Sequence, residues 1–258
     1  MIVAMFAEER KQQILHYLAQ QDRASVGELS EAFDVSEVTI RRDLKELEQE
    51  GLLRRTHGGA LSNRTETAFE PSMIEKESAY AEEKERIAQQ AYALIQPGET
   101  LLLDSGTTVH ALARLLLSSE GVKVVTNSNP VLQTLSQVES IELISTGGMV
   151  RSSMQSMVGP FAEQVLQSLH VDRLFLGMNG IHLERGLTTP HLLEARIKQQ
   201  MIQAAREVVL LCDSSKLGQT AFTHVAPLQA VHRLITDKGA SPDIVREMEE
   251  QGVEVILT

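Results

Sequence analysis

The chain has one cysteine, no tryptophan and 3% aromatic residues among 258. Cys212 alone cannot close an intramolecular disulfide, so the expected compartment is a reducing cytoplasm and the fold must rest on its core. With hydrophobic residues at 42% and few rings, that core must be mainly aliphatic. No apolar run approaches the roughly 20 residues of a membrane helix. The first turns mix acidic and basic residues without a signal-peptide pattern, so no membrane partner is expected. Positive charge is also short. A net charge of −11 argues against indiscriminate coating of nucleic acid, but leaves room for a small basic reading face. Metal-ligand spacing among His, Cys and acids is missing, as are a P-loop, a dinucleotide fingerprint and a Ser-His or Cys-His nucleophile pattern. Hence no metal, cofactor or catalytic residue is expected. The chain shows no internal repeat and no low-complexity tract, and its length suits one large domain or two ordinary ones.

What is present begins with Val35-Ser36-Glu37-Val38-Thr39-Ile40-Arg41-Arg42-Asp43-Leu44. Ser36 is placed to cap a helix by accepting from first-turn amides. At about 100° per residue, Ile40, Leu44 and Leu47 share one face. Val38, Arg42, Lys45 and Gln49 lie opposite, flanked by Thr39 and Arg41. A major groove offers thymine methyls to Val38, and guanine edges or phosphates to the arginines. Upstream, Ala7 to Gln21 has helical spacing at Ile14, Leu15 and Leu18. Ser25 with Glu28 forms a capping box before a short helix whose expected inner residues are Leu29, Ala32 and Phe33. Downstream, Gly51 stops the reading helix as a C′ residue. The stretch Leu52 to Ala60, with Gly58-Gly59 at its turn, reads as a hairpin, so the whole is a winged helix-turn-helix over 1–61. Arg54, Arg55 and His57 would face phosphates or the minor groove.

Residues 62–81 are polar, include Pro71 and read as a linker. From 82 to 258, apolar runs alternate with helical patterns. The runs begin at Thr100, Val122, Ile141, Arg173, Val208, Arg233 and Val253. Continuous apolar strands separated by helices predict a mainly parallel α/β sheet covered on both faces. In such sheets ligands sit beyond the strands' carboxyl ends, and polar residues collect there. Asp104-Ser105-Gly106-Thr107-Thr108 offers a glycine turn, a helix start and two hydroxyls, the physical parts of a phosphate cradle. Asn127 and Ser128, Gly147 and Gly148, Asn179 and Gly180, and Lys216 follow later strands. Together they suit a small anionic polyol.

The ordered set Ser36-x-x-Thr39-Ile40-Arg41-Arg42-Asp43-Leu44 and Gly51-Leu52-Leu53-Arg54-Arg55-Thr56-His57-Gly58-Gly59-Ala60 resembles the DeoR family of bacterial transcriptional regulators. So do Asp104-Ser105-Gly106-Thr107-Thr108, Val125-Thr126-Asn127-Ser128, Gly147-Gly148, Gly186-Leu187-Thr188, Asp213-Ser214-Ser215-Lys216 and Ile235-Thr236-Asp237 in the second half. The resemblance spans nearly the whole chain. It implies a sensor domain similar in fold to ribose-5-phosphate isomerase, an effector that is a phosphorylated sugar or sugar catabolite, and repression as the output. It also implies that Gly106-Thr107-Thr108 hold the phosphate and that Lys216 lines the pocket.

A rival reading is a sugar-phosphate isomerase carrying an accessory DNA-binding domain. Aldose–ketose isomerisation needs a carboxylate base. Where the related isomerases present paired acids, this chain has Gly177-Met178-Asn179-Gly180, leaving Asp104 and Glu194 as possible acids. A regulator that is not an enzyme is the reading adopted. Its expected partners are double-stranded operator DNA, a phosphorylated sugar, and further copies of itself that set two winged helices on a repeated or palindromic site.

Overall fold

The computed structural model describes residues 7–21, 23–49, 52–56, 58–62 and 73–258. Two compact units divide between Glu66 and Thr67.

The first unit contains α1 (Ala7–Gln21), β1 (Arg23–Ser25), α2 (Val26–Phe33), α3 (Glu37–Gln49), β2 (Leu53–Thr56) and β3 (Gly59–Ser62). Ser25 and Glu28 close the expected capping box, bonding each other's backbone amides at 3.1 and 2.7 Å. Ile14, Leu18, Leu29, Ile40, Leu44 and Leu47 are buried in one aliphatic core. Each contributes about 1.5–3 kcal/mol by leaving water. Ala32, expected inside, is exposed, because the short α2 buries only Val26 and Leu29. The hairpin also gains a third strand, giving the order β1-β3-β2. Gly59 is needed for that pairing, since a Cβ there would lie 2.0 Å from the Ala24 carbonyl oxygen. Gly51, the expected helix stop, lies outside the described residues.

The second unit starts earlier than the sequence suggests. The segment expected to be linker contains α4 (Met73–Ser78), whose Met73 amide donates to Ser153 O at 3.3 Å. Then follow α5 (Ala81–Tyr92), β4 (Thr100–Leu103), α6 (Thr107–Leu115), β5 (Lys123–Thr126), α7 (Asn129–Leu135), β6 (Glu142–Ser145), β7 (Met149–Arg151) and β8 (Ser156–Val158). The chain continues through α8 (Pro160–Gln167), β9 (Val171–Leu176), β10 (Gly180–His182), β11 (Gly186–Thr189), α9 (Leu192–Ala204), β12 (Ala205–Leu211), β13 (Thr223–Ala226), β14 (Arg233–Thr236), α10 (Pro242–Glu250) and β15 (Glu254–Leu257).

Seven strands form one parallel sheet in the order β15-β14-β12-β9-β4-β5-β6. Alternation along β4 sets its layers. Leu101 and Leu103 join one aliphatic cluster with Ile87, Leu112 and Val131, and Leu102 joins another with Leu166, Met201 and Met248. The chain runs outward from β4 to β6, then returns to the other side of β4 as β9. The crevice between β4 and β9 is therefore the topological switch point where open α/β sheets receive ligands. Two features escaped the sequence reading: the antiparallel sheet β10-β11-β13 and the hairpin β7-β8. Cys212 is sealed in the core, and burial pushes its thiol well above the ordinary value. Among the described residues, no helix is long and apolar enough to cross a membrane.

Candidate functional site

The face of α3 turned from the core carries the residues expected to read DNA. Ser36 Oγ accepts from the Thr39 amide at 3.2 Å and pairs with Thr39 Oγ1 at 2.9 Å, fixing the helix start. Val38 is 74% exposed. Arg41, Arg42 and Lys45 are exposed beside it, as are Arg54 and Arg55 on β2; His57 lies outside the described residues. Three arginines are already engaged. Arg41 pairs with Glu37 at 2.8 Å, Arg42 with Glu46 at 3.1 Å and Arg55 with Glu48 at 3.7 Å. Asp43 points the other way. It is buried and accepts from Arg10 Nε at 2.6 Å and Nη2 at 3.2 Å, which locks α3 to α1. Those bonds raise the pKa of the Arg10 guanidinium above its ordinary value.

The second candidate site lies at the switch point. Asp104 directly follows β4 and is fully buried. Its Oδ2 accepts from the Gly177 amide at 3.0 Å and from the Lys198 ammonium, which also donates to Gly177 O at 2.9 Å. Burial pushes the Asp104 carboxyl up, and the Lys198 charge only partly offsets this. Its Oδ1 has no partner. Asn127, after β5, donates through Nδ2 to Met157 O at 3.3 Å, while its buried Oδ1 is likewise unpartnered. Between them α6 begins at Gly106, with φ +129° and no side-chain cap. A Cβ on Gly106 would meet nothing within 4 Å, so open space faces this turn. The first amides of α6 have no intrahelical acceptor. Thr107 and Thr108 are buried beside them.

Other expected residues divide into two groups. Lys216 lies in the turn after β12, donating to Ser215 Oγ at 3.0 Å and 3.9 Å from Asp213. Gly147 and Gly148 connect β6 to β7, both with positive φ. Structural duties already occupy the rest. Ser128 caps α7 through the Val131 amide at 3.4 Å, and Asn179 Oδ1 accepts from Thr189 Oγ1 at 3.0 Å. Gly180 starts β10, where a Cβ would crowd Thr188 Oγ1 at 2.7 Å and Gln219 O at 2.8 Å.

Sequence reasoning missed Lys198 and left out the role of Glu194. They stand at i and i+4 on α9, both buried, so a Glu-Lys pair on the inner side of a helix was the available signal. Glu194 accepts from Ser156 Oγ at 2.9 Å and pairs with Arg151 Nη1 at 2.5 Å. Burial pushes its carboxyl up, but Lys198, Arg151 and Ser156 outweigh that and hold it below the usual range. Lys84 was missed too. Its buried ammonium donates to the carbonyls of Lys76 and Ala79, and desolvation lowers its pKa to about 8.

Comparison with known proteins shows the family of the chain. Residues 10–66 match the DeoR-like helix-turn-helix domain and residues 79–238 the DeoR C-terminal sensor domain. The chain belongs to the DeoR family. A lactose phosphotransferase system repressor of Streptococcus mutans serotype c is 39% identical over 90% of this chain and 93% of its own. The HTH-type transcriptional repressor GlcR of Bacillus subtilis strain 168 is 35% identical over 98% of this chain and 97% of its own. Among solved structures, ribose 5-phosphate isomerase A of Methanocaldococcus jannaschii aligns with 54% of this chain and 55% of its own at 20% identity, with a TM-score of 0.41. This DeoR-family chain is a DNA-binding transcriptional repressor with a sensor domain, and a regulator rather than an enzyme.

Proposed function

We propose that this repressor controls carbohydrate genes and leaves its operator when a phosphorylated sugar occupies the crevice between β4 and β9. The observation that carries the effector's chemistry is a mismatch of donors and acceptors. Asp104 Oδ1 and Asn127 Oδ1, at the carboxyl ends of neighbouring strands β4 and β5, are buried acceptors without donors, and α6, which follows β4, starts without a side-chain cap. Sugar hydroxyls supply the donors, and a phosphate at the start of α6 supplies the acceptor with the charge the helix dipole favours. Lys216, in the loop after β12, is the lysine proposed to line the pocket. The DNA face is the exposed side of α3, with Val38 and Arg42 at its centre, flanked by Thr39, Arg41 and Lys45 and supported by Arg54 and Arg55. Two copies of the chain would set their reading helices in major grooves about 34 Å apart.

The test is a melting screen of pentose and hexose phosphates against the same sugars without phosphate. A compound that binds only the folded state at about 100 times its Kd adds about 2.7 kcal/mol. The expected result is a raised midpoint with phosphate esters alone, lost in the Thr107→Val/Thr108→Val variant. Equal shifts from the unphosphorylated sugars, or no shift from any phosphate ester, would overturn the assignment.

A further inference from the structure

We infer that Glu194 is a positioning residue that links the effector crevice to α4, the described helix nearest in sequence after the DNA-binding unit. The inference rests on the crevice being the effector site, but its contacts are independent of any ligand. Lys198 holds Asp104 inside the crevice. One helical turn earlier, Glu194 feels the Lys198 charge and holds the β7–β8 hairpin on both sides of its turn, through Arg151 at the end of β7 and Ser156 at the start of β8. The turn of that hairpin is the seat of α4. Ser153 O accepts the Met73 amide at 3.3 Å, and Met154 Sδ accepts from Lys76 Nζ at 3.1 Å. A continuous polar path therefore runs from the switch point through Glu194 and the hairpin to α4.

The far end of α4 faces charges of the loop after β12. Lys84 bonds the Lys76 and Ala79 carbonyls, closing the turn in which Tyr80 takes a left-handed φ of +55°. The charges acting on Lys84 are Asp213, Lys216, Lys76 and Glu77, and the first two belong to the loop after β12. On its remaining side α4 reaches α6 through Glu77, 3.7 Å from Arg114. An anion in the crevice competes with Glu194 for Lys198 and alters the field at Lys84. It thus acts on both ends of the α4 seat at once.

Hydrogen exchange of the full chain, with no ligand added, tests the linkage. Glu194→Gln keeps the volume and the Ser156 bond but removes the charge. Amides of residues 76–80 should then exchange about tenfold faster, while those of β9 and β12 keep their wild-type rates. Ser156→Ala, a milder change, should accelerate the same amides less. A disulfide between Met73→Cys and Ser153→Cys, whose backbones already hydrogen-bond, should cancel the acceleration when oxidised and restore it when reduced. The buried Cys212 thiol does not compete. Unchanged α4 rates in both variants, or acceleration spread evenly over the sheet, would overturn the inference. The melting screen decides separately whether the crevice takes a sugar phosphate.

Discussion

Lys198 and Asp104 stand 94 residues apart in sequence and meet as an ion pair with side chains 4% and 0% exposed. The pair pins α9 over the carboxyl end of β4 and closes the switch-point crevice from one side. A buried pair adds little net stability, but losing one partner is costly because the other charge stays behind.

Lys198→Met should therefore destabilise the sensor unit by about 3–5 kcal/mol at neutral pH. Burial already raises the Asp104 carboxyl, and loss of the ammonium raises it further. Folding then favours the protonated acid, so the deficit is full above the Asp104 pKa of the variant and shrinks as pH falls below it toward the ordinary carboxylate range. Adding Asp104→Asn should recover most of the loss. Thermal denaturation of the three variants across pH 5–8 is the measurement; equal deficits at all pH values would contradict it.

In the DNA-binding unit, Asp43→Ala leaves the Arg10 guanidinium buried without its bidentate partner. A cost of about 3–5 kcal/mol should melt this small unit first. Calorimetry should show the DNA-binding transition fall while the sensor transition stays in place, and operator affinity should be lost with it.

Arg42→Ala should weaken operator binding by about 1–3 kcal/mol, the range for an arginine that reads a base edge. Glu46→Gln should act in the opposite direction. Glu46 holds Arg42 at 3.1 Å and Lys11 at 2.7 Å, so neutralising it releases Arg42 for DNA. Fluorescence anisotropy on the promoter the repressor controls, at several salt concentrations, separates these effects.

Lys84 gives a pH signature. Its ordinary pKa of 10.5 falls to about 8 in the fold, through desolvation first. Between those values the unfolded chain holds a proton that the folded chain has released, so wild-type stability rises with pH through this window. A neutral amine still has two N–H groups for the two carbonyls it serves. Lys84→Met should lack this rise, so the difference in melting midpoint should move in the wild type's favour from pH 8 to pH 10.

Much of this molecule can be read from its residues, where the pattern is periodic or chemically specific. Ile40, Leu44 and Leu47 at helical spacing marked the inner face of α3, and the exposure of Val38 and Arg42 follows from the same arithmetic. Seven apolar runs became the seven parallel strands. The strands of β10, β11 and β13 have three or four residues each, too few for alternation to stand out. In α4, Met73 and Lys76 act through a backbone amide and an ammonium, so the segment reads as polar and unstructured. At the crevice, the turn from Asp104 to Thr108 was visible because it ends a strand. Lys198 was not, because a buried charge on a helix is defined by what it meets across the fold.

The acids that hold Arg41, Arg42 and Arg55 also shape how the protein travels. A reading head that neutralises its own cations keeps little grip on random duplex and exchanges few counterions there. With the proposed DNA face, genomic search would proceed by brief touches and quick departures. Long residence is confined to sequences whose edges and phosphates draw the guanidinium groups from their carboxylates, so selectivity is gained by giving up adhesion.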